Sequence, residues 1–235
     1  MLDHNHDALI FVLVLLAALA ATLFTLTRTL PAQNVISAAA LIAFLSGLIQ
    51  IIGAKTGVPF GPFFYTENLG PMLFHLLPWP VPLIWVIVIL NSRGVARLIL
   101  RPWRNHSSYG RWSLALTCAL TVMFDLSLEP FAAYANHFWI WKTPKHIASW
   151  YGAPWINFIS FAVTTLLILA IATPWLINKK PIAKSPPDYF PLIIWSFLML
   201  LLTVGNATQQ LWGATVFTLS TTIPVTASAW RNSRR

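Results

Sequence analysis

LALTCALTVMFDLSLEPFAAYA (residues 114–135) is long and apolar enough to be a membrane span, yet it holds two acids, Asp125 and Glu129. The chain has only six acidic residues: Asp3, Asp7, Glu67, Asp125, Glu129 and Asp188. The i, i+4 spacing puts Asp125 and Glu129 on one helical face, about one turn apart. An ionised side chain at the bilayer centre costs about 3 kcal/mol or more, so acids in spans usually face a protein interior and act there. Apolar surroundings favour the neutral form of a carboxylic acid, and two neighbouring acids tend to share one proton. A neutral acid in a water-poor site is a proton donor. The alternative is a polar clamp binding this helix to Ser, Thr or Asn of a neighbour. No basic residue lies within a turn or two, so a same-helix ion pair is excluded.

The whole composition agrees with that stretch. The 235 residues are 57% hydrophobic and 9% charged, against about 25% charged in ordinary soluble domains. The expected fold is all-α: a polytopic membrane helical bundle of about seven transmembrane helices, forming one integral membrane domain over residues 1–235. The expected spans are residues 8–26, 35–54, 81–92, 112–135, 153–177, 189–204 and 208–229. The third is preceded by a proline-broken segment, read as a short interfacial helix or re-entrant piece. No cleavable signal peptide is expected, because acids and His precede the first apolar run.

The formal charge is +9. Its distribution is that of a topology signal and not of a nucleic-acid surface. Twelve of the fifteen basic residues fall on one side: Arg28, Arg93, Arg97, Arg101, Arg104, Arg111, Lys179, Lys180, Lys184, Arg231, Arg234 and Arg235. Only Lys55, Lys142 and Lys145 fall on the other. The bias predicts a cell-membrane protein with its N-terminus outside and its C-terminus in the cytoplasm. Two loops rich in Gly, Pro and aromatics, residues 57–71 and 137–157, then share the outer face.

These loops supply the remaining candidates. Glu67 is a site acid or an interfacial N-cap. Gln50 reads as a helix–helix hydrogen bond. Asn157 orients a water or caps span five, and the Gly-Ala-Pro turn before it favours the cap. The aromatics Phe60, Phe63, Phe64, Tyr65, Trp139, Trp141, Trp150, Tyr151 and Trp155 form an interfacial belt, or a pocket wall whose ring faces stabilise positive charge. His75, His137 and His146 lack metal-ligand spacing, and the lone Cys118 excludes a Cys-rich site, so no metal is expected. No phosphate-binding glycine loop, no paired DxxxD motif and no lysine in the last span is present.

Two strings carry a resemblance. TGVPFGPFFYTENLGP (56–71) resembles the signature TG-x-PFG-x-Y-x-Y…LGP. FDLSLEPFAAYANHFWIWKTP (124–144) with WYGAPWINFISF (150–161) resembles a second signature: Asp, then Asp/Glu-Pro four residues on, W-x-W, and Y-G-x-P-x-x-N-F. Both belong to the membrane carotenoid-biosynthesis family that includes the bisanhydrobacterioruberin and gamma-carotene hydratases, and the match covers about residues 50–161. The pattern departs at Gln50, where the family leads us to expect Glu, and at Phe63, where it leads us to expect Tyr. The resemblance implies a carotenoid 1,2-hydratase-like hydro-lyase adding water to a terminal C=C of a linear carotenoid, with no cofactor. Asp125 would donate the proton or partner the donor, Glu129 would share the proton and orient water, and Glu67 would close the site. Gln50, Phe60, Phe64, Tyr65 and His75 would contact substrate from one side. Tyr134, Trp139, Trp141, Tyr151 and Asn157 would contact it from the other. Partners would be the isoprenoid substrate, the bilayer and other carotenoid-pathway enzymes. A proton-initiated cyclase or isomerase uses the same acid, and a proton-coupled transporter or lipid-binding protein is the rival from another class.

Overall fold

The computed structural model describes residues 2–177 and 186–234, with side chains from residue 10 onward. Lys179, Lys180, Lys184 and Arg235 of the charge pattern, and the side chains of Asp3 and Asp7, lie outside the described residues.

Among the described residues seven long helices carry the fold: α1 (Leu2–Thr27), α2 (Ala32–Thr56), α3 (Pro80–Ile99), α4 (Tyr109–Glu129), α5 (Trp155–Ala172), α6 (Phe190–Thr208) and α7 (Trp212–Ser233). It is an all-α, multi-pass membrane bundle. Six of the helices are long and apolar enough to cross a bilayer. The exception is α7, which is rich in Thr and Ser and contains Pro224. Its hydroxyls return to carbonyls of the preceding turn, as Thr215 does to Leu211 and Thr218 to Ala214, so they need no water. Thr226 also meets Ser196 of α6 at 2.9 Å.

The centre of the bundle is α3, which packs against α1, α2, α4, α6 and α7. Its run Val86–Val88–Leu90 and the intervening Ile87 and Ile89 are all buried. A helix apolar on every side belongs inside a bundle. Prolines at its first turn start it without loss, because those amides have no helical partner. Gly94 lets α6 approach closely: a Cβ there would lie 2.3 Å from Pro191 Cβ. The helix continues past residue 92 to Ile99, so Arg93 and Arg97 sit in its final turns and not in a loop. The Arg93 guanidinium donates to the Leu176 carbonyl at 2.9 Å.

The segment before α3 is not a helix. It is a one-turn 3-10 stretch, Glu67–Leu69, followed by the hairpin β2 (Met72–Leu73) and β3 (Leu77–Pro78). Its prolines remove the donors that a helix interior needs.

Two further strands matter more. With β1 (Phe63–Tyr65) preceding β2, strand β4 (Trp139–Trp141) pairs antiparallel to β1, in the register Phe63 to Trp141 and Tyr65 to Trp139. This ribbon joins the α2–α3 and α4–α5 connections, so both loops lie on one face of the bundle. The hairpin β5 (Ser149–Trp150) and β6 (Ala153–Pro154) leads into α5.

Candidate functional site

The acids sit where α4 changes its winding. Pro130 follows Glu129 and has no N–H to give the Leu126 carbonyl one turn back. The Trp150 indole donates to that carbonyl instead, at 2.9 Å. Residues Pro130–Ala135 continue as a wider π-type turn, in which the Asn136 amide reaches the Phe131 carbonyl. Such turns recur at functional sites. Asp125 and Glu129 are 4% and 3% exposed, so they face the bundle interior and not lipid.

Their surroundings differ. Glu129 accepts three N–H groups: Oε2 takes the indoles of Trp139 at 3.1 Å and Trp141 at 2.9 Å, and Oε1 takes the Asn157 amide at 3.4 Å. Asp125 receives one, from Asn157 to Oδ2 at 3.0 Å. Its Oδ1 accepts nothing from the described residues. Converging N–H donors match an ionised carboxylate, which only accepts, while an oxygen left without a donor can carry a proton.

The ribbon explains the aromatic wall. Strand side chains alternate between faces, so Trp139 and Trp141 share one face, and register puts Tyr65 and Phe63 on the same one. That face looks at the acids. Phe63 is 6% exposed, whereas Phe64, on the opposite face, is 39% exposed. Phe63 packs on Trp141 with centroids 5.0 Å apart, and Tyr65 meets Trp139 edge-on at 6.3 Å. Opposite the ribbon, Trp85 of α3 stacks on Phe161 of α5 at 4.0 Å.

One cavity of about 50 Å³ lies among these groups. Gln50, Tyr65, Asp125, Glu129 and Asn157 supply its polar lining; Phe60, Phe63, Trp85, Phe124, Trp139, Trp141, Phe161 and aliphatic residues of α3 and α4 supply the rest. That space, with several polar groups on its wall, is enough to hold ordered water. Among the described residues no Lys, Arg or His lines it, so none of them is a cationic partner for the acids there. Tyr65 donates its phenol O–H to Gln50 Oε1 at 2.8 Å. Burial, then the Glu129 and Asp125 carboxyls, push the Tyr65 phenol up, which keeps it as O–H.

Eight of the expected site residues therefore meet at the cavity: Gln50, Phe60, Tyr65, Asp125, Glu129, Trp139, Trp141 and Asn157. Five do not. Glu67 is an exposed first residue of its 3-10 turn, whose cap is the Thr66 hydroxyl. Phe64 points outward beneath Lys142, whose ammonium lies 4.9 Å from the ring centroid. His75 sits at the tip of the β2–β3 hairpin at φ 58°, exposed. Tyr134 is 56% exposed and packs edge-on against Tyr151, whose hydroxyl accepts the Ala214 amide. Asn157 is no cap, since α5 starts after Pro154 with no side-chain cap bond; its amide serves the two acids. Gln50 bonds to a loop tyrosine and not to another helix.

Trp85, Phe124 and Phe161 were not expected at the site. Their only signal is size, since each is an aromatic deep inside an apolar span. Phe63 had a better one, because the patterns F-x-Y and W-x-W are the period of a strand. Among the described residues no group of three or more His, Cys, Asp or Glu could hold a metal.

A region of 116 residues is 33% identical to the bisanhydrobacterioruberin hydratase of Haloarcula japonica, covering 49% of this chain and 37% of that protein. No solved structure matches the chain. The family model described as "Carotenoid biosynthesis protein" matches residues 9–224, nearly the whole bundle. The chain is a member of the carotenoid biosynthesis protein family.

Proposed function

We propose that this carotenoid-modifying membrane enzyme is a hydratase, a hydro-lyase acting without a cofactor on a terminal isoprenoid double bond of a linear carotenoid. The observation that carries the reading is the unequal solvation of the two acids: three N–H donors on Glu129 and one on Asp125. An isolated alkene is a weak base, so it needs a neutral acid close by in a dry site. Asp125 gives its proton to the less substituted carbon, and the π electrons form the new C–H bond. The tertiary cation left behind lies among the rings of Phe63, Trp139, Trp141 and Trp85 and near the Glu129 carboxylate. Water forms the C–O bond, its surplus proton passes to Glu129, and transfer from Glu129 to Asp125 restores the starting state. The net reaction is alkene plus water to tertiary alcohol.

The name of the Haloarcula japonica relative supports hydration over ring closure. A polyene end is larger than the cavity, so its entry requires the aromatic wall to part. Residues 1–235 act as one membrane unit in the cell membrane, with the ribbon on the outer face and the C-terminus in the cytoplasm, as the basic residues suggest.

Expression in a host that accumulates a linear carotene, with mass analysis of the pigments, tests the reading. A carotene heavier by one water per reacted end is expected, and Asp125→Asn should abolish it. Cyclised or isomerised pigment of unchanged mass would refute hydration.

A further inference from the structure

The acids account for protonation, but they do not hold the nucleophile. The cation forms at the carbon next to the one that Asp125 protonates, so the attacking water needs a position of its own. The second polar pole of the cavity is Gln50 of α2 with Tyr65 of β1. The Tyr65 O–H is committed to Gln50 Oε1. That bond fixes the amide, so Gln50 Nε2 is a free donor: among the described residues the Gln50 side chain has no other hydrogen bond. It also leaves the Tyr65 oxygen as an acceptor. Both groups line the same small space as Glu129, on walls other than that of Asp125.

We infer that Gln50 and Tyr65 are positioning residues that hold the attacking water, so that they set whether the cation is hydrated or reverts to alkene; this rests on the hydratase reading. Gln50 Nε2 donates to the water oxygen. The water gives one hydrogen to the Tyr65 oxygen and aims the other at Glu129, which leaves a lone pair for the cation. After the C–O bond forms, Glu129 takes the proton aimed at it. The pair therefore governs the second step and leaves the first untouched.

The test uses membranes carrying the full chain, a linear carotene and D2O buffer. Deuterium in the recovered hydrocarbon reports protonation followed by proton loss. Hydrated pigment reports water capture. Gln50→Leu and Tyr65→Phe, normalised to protein in the membrane, should each lower hydrated pigment about tenfold, the factor one neutral hydrogen bond carries. Deuterium in the hydrocarbon should stay within about twofold of wild type or rise, because the cation still forms. Asp125→Asn should lose both signals. Equal falls in both readouts, or hydrated yield within about twofold of wild type, overturn the assignment. Wild-type membranes that deuterate the hydrocarbon but never hydrate it refute the hydratase reading, and the water-holding role falls with it.

Discussion

Replacing Trp141 with Phe removes one N–H from Glu129 and leaves a ring to pack on Phe63. The indole donates to Glu129 Oε2 at 2.9 Å inside a buried, mostly apolar site. A hydrogen bond to a charged partner contributes about 1.5–3 kcal/mol, against about 0.5–1.5 for a neutral pair. If Glu129 works as a carboxylate that stabilises the cation, Trp141→Phe should slow hydration by about 10- to 100-fold at 1.36 kcal/mol per decade. The Trp139 indole, at 3.1 Å on the same oxygen, keeps the loss toward the lower end. Trp139→Phe with Trp141→Phe should lose more than the product of the single effects, since Oε2 then has no donor and only the longer Asn157 bond to Oε1 is left on Glu129. The assay is initial rate of hydrated pigment in membranes, normalised to folded enzyme by thermal melting in detergent. A Trp141→Phe enzyme within about twofold of wild type would refute the carboxylate role of Glu129.

Three further outcomes are expected. Glu67→Gln should leave hydration within about twofold of wild type, because Glu67 is exposed and outside the cavity; a large loss in this rate assay would return it to the site. Gly94→Ala should lower the melting temperature in detergent, since the new Cβ would press on Pro191 and overpacking costs about 1–3 kcal/mol; an unchanged melt would show that α3 and α6 can separate freely. With Cys118 replaced by Ser, Ile147→Cys should react with a membrane-impermeant thiol reagent on intact cells, and Arg104→Cys only after the cells are opened. The reverse pattern would invert the topology.

Some of this protein is written along the chain. Apolar runs of about twenty residues can only be spans, because lipid leaves backbone groups no partner outside a helix. Two acids in such a run had to face inward, and their spacing put them on one side. The resemblance, carried by the two loop strings, pointed to the family and to Asp125 and Glu129. Aromatic residues two apart in both loops have the period of a strand, but that alternation alone names neither a ribbon nor its partner.

Tertiary structure decided the rest. Pairing of β1 with β4 joins residues more than seventy positions apart, and no local pattern announces that register. It turned two tryptophans of an expected interfacial belt into donors for a buried acid. The same closure left Glu67, His75, Tyr134 and Tyr151 outside, although their residue types suit a site as well as those inside. Asn157 looked like a helix cap and became the amide shared by both acids. Hydropathy tells a residue to leave water, and only the packing of α2, α3, α4 and α5 around one small cavity decides which buried groups meet.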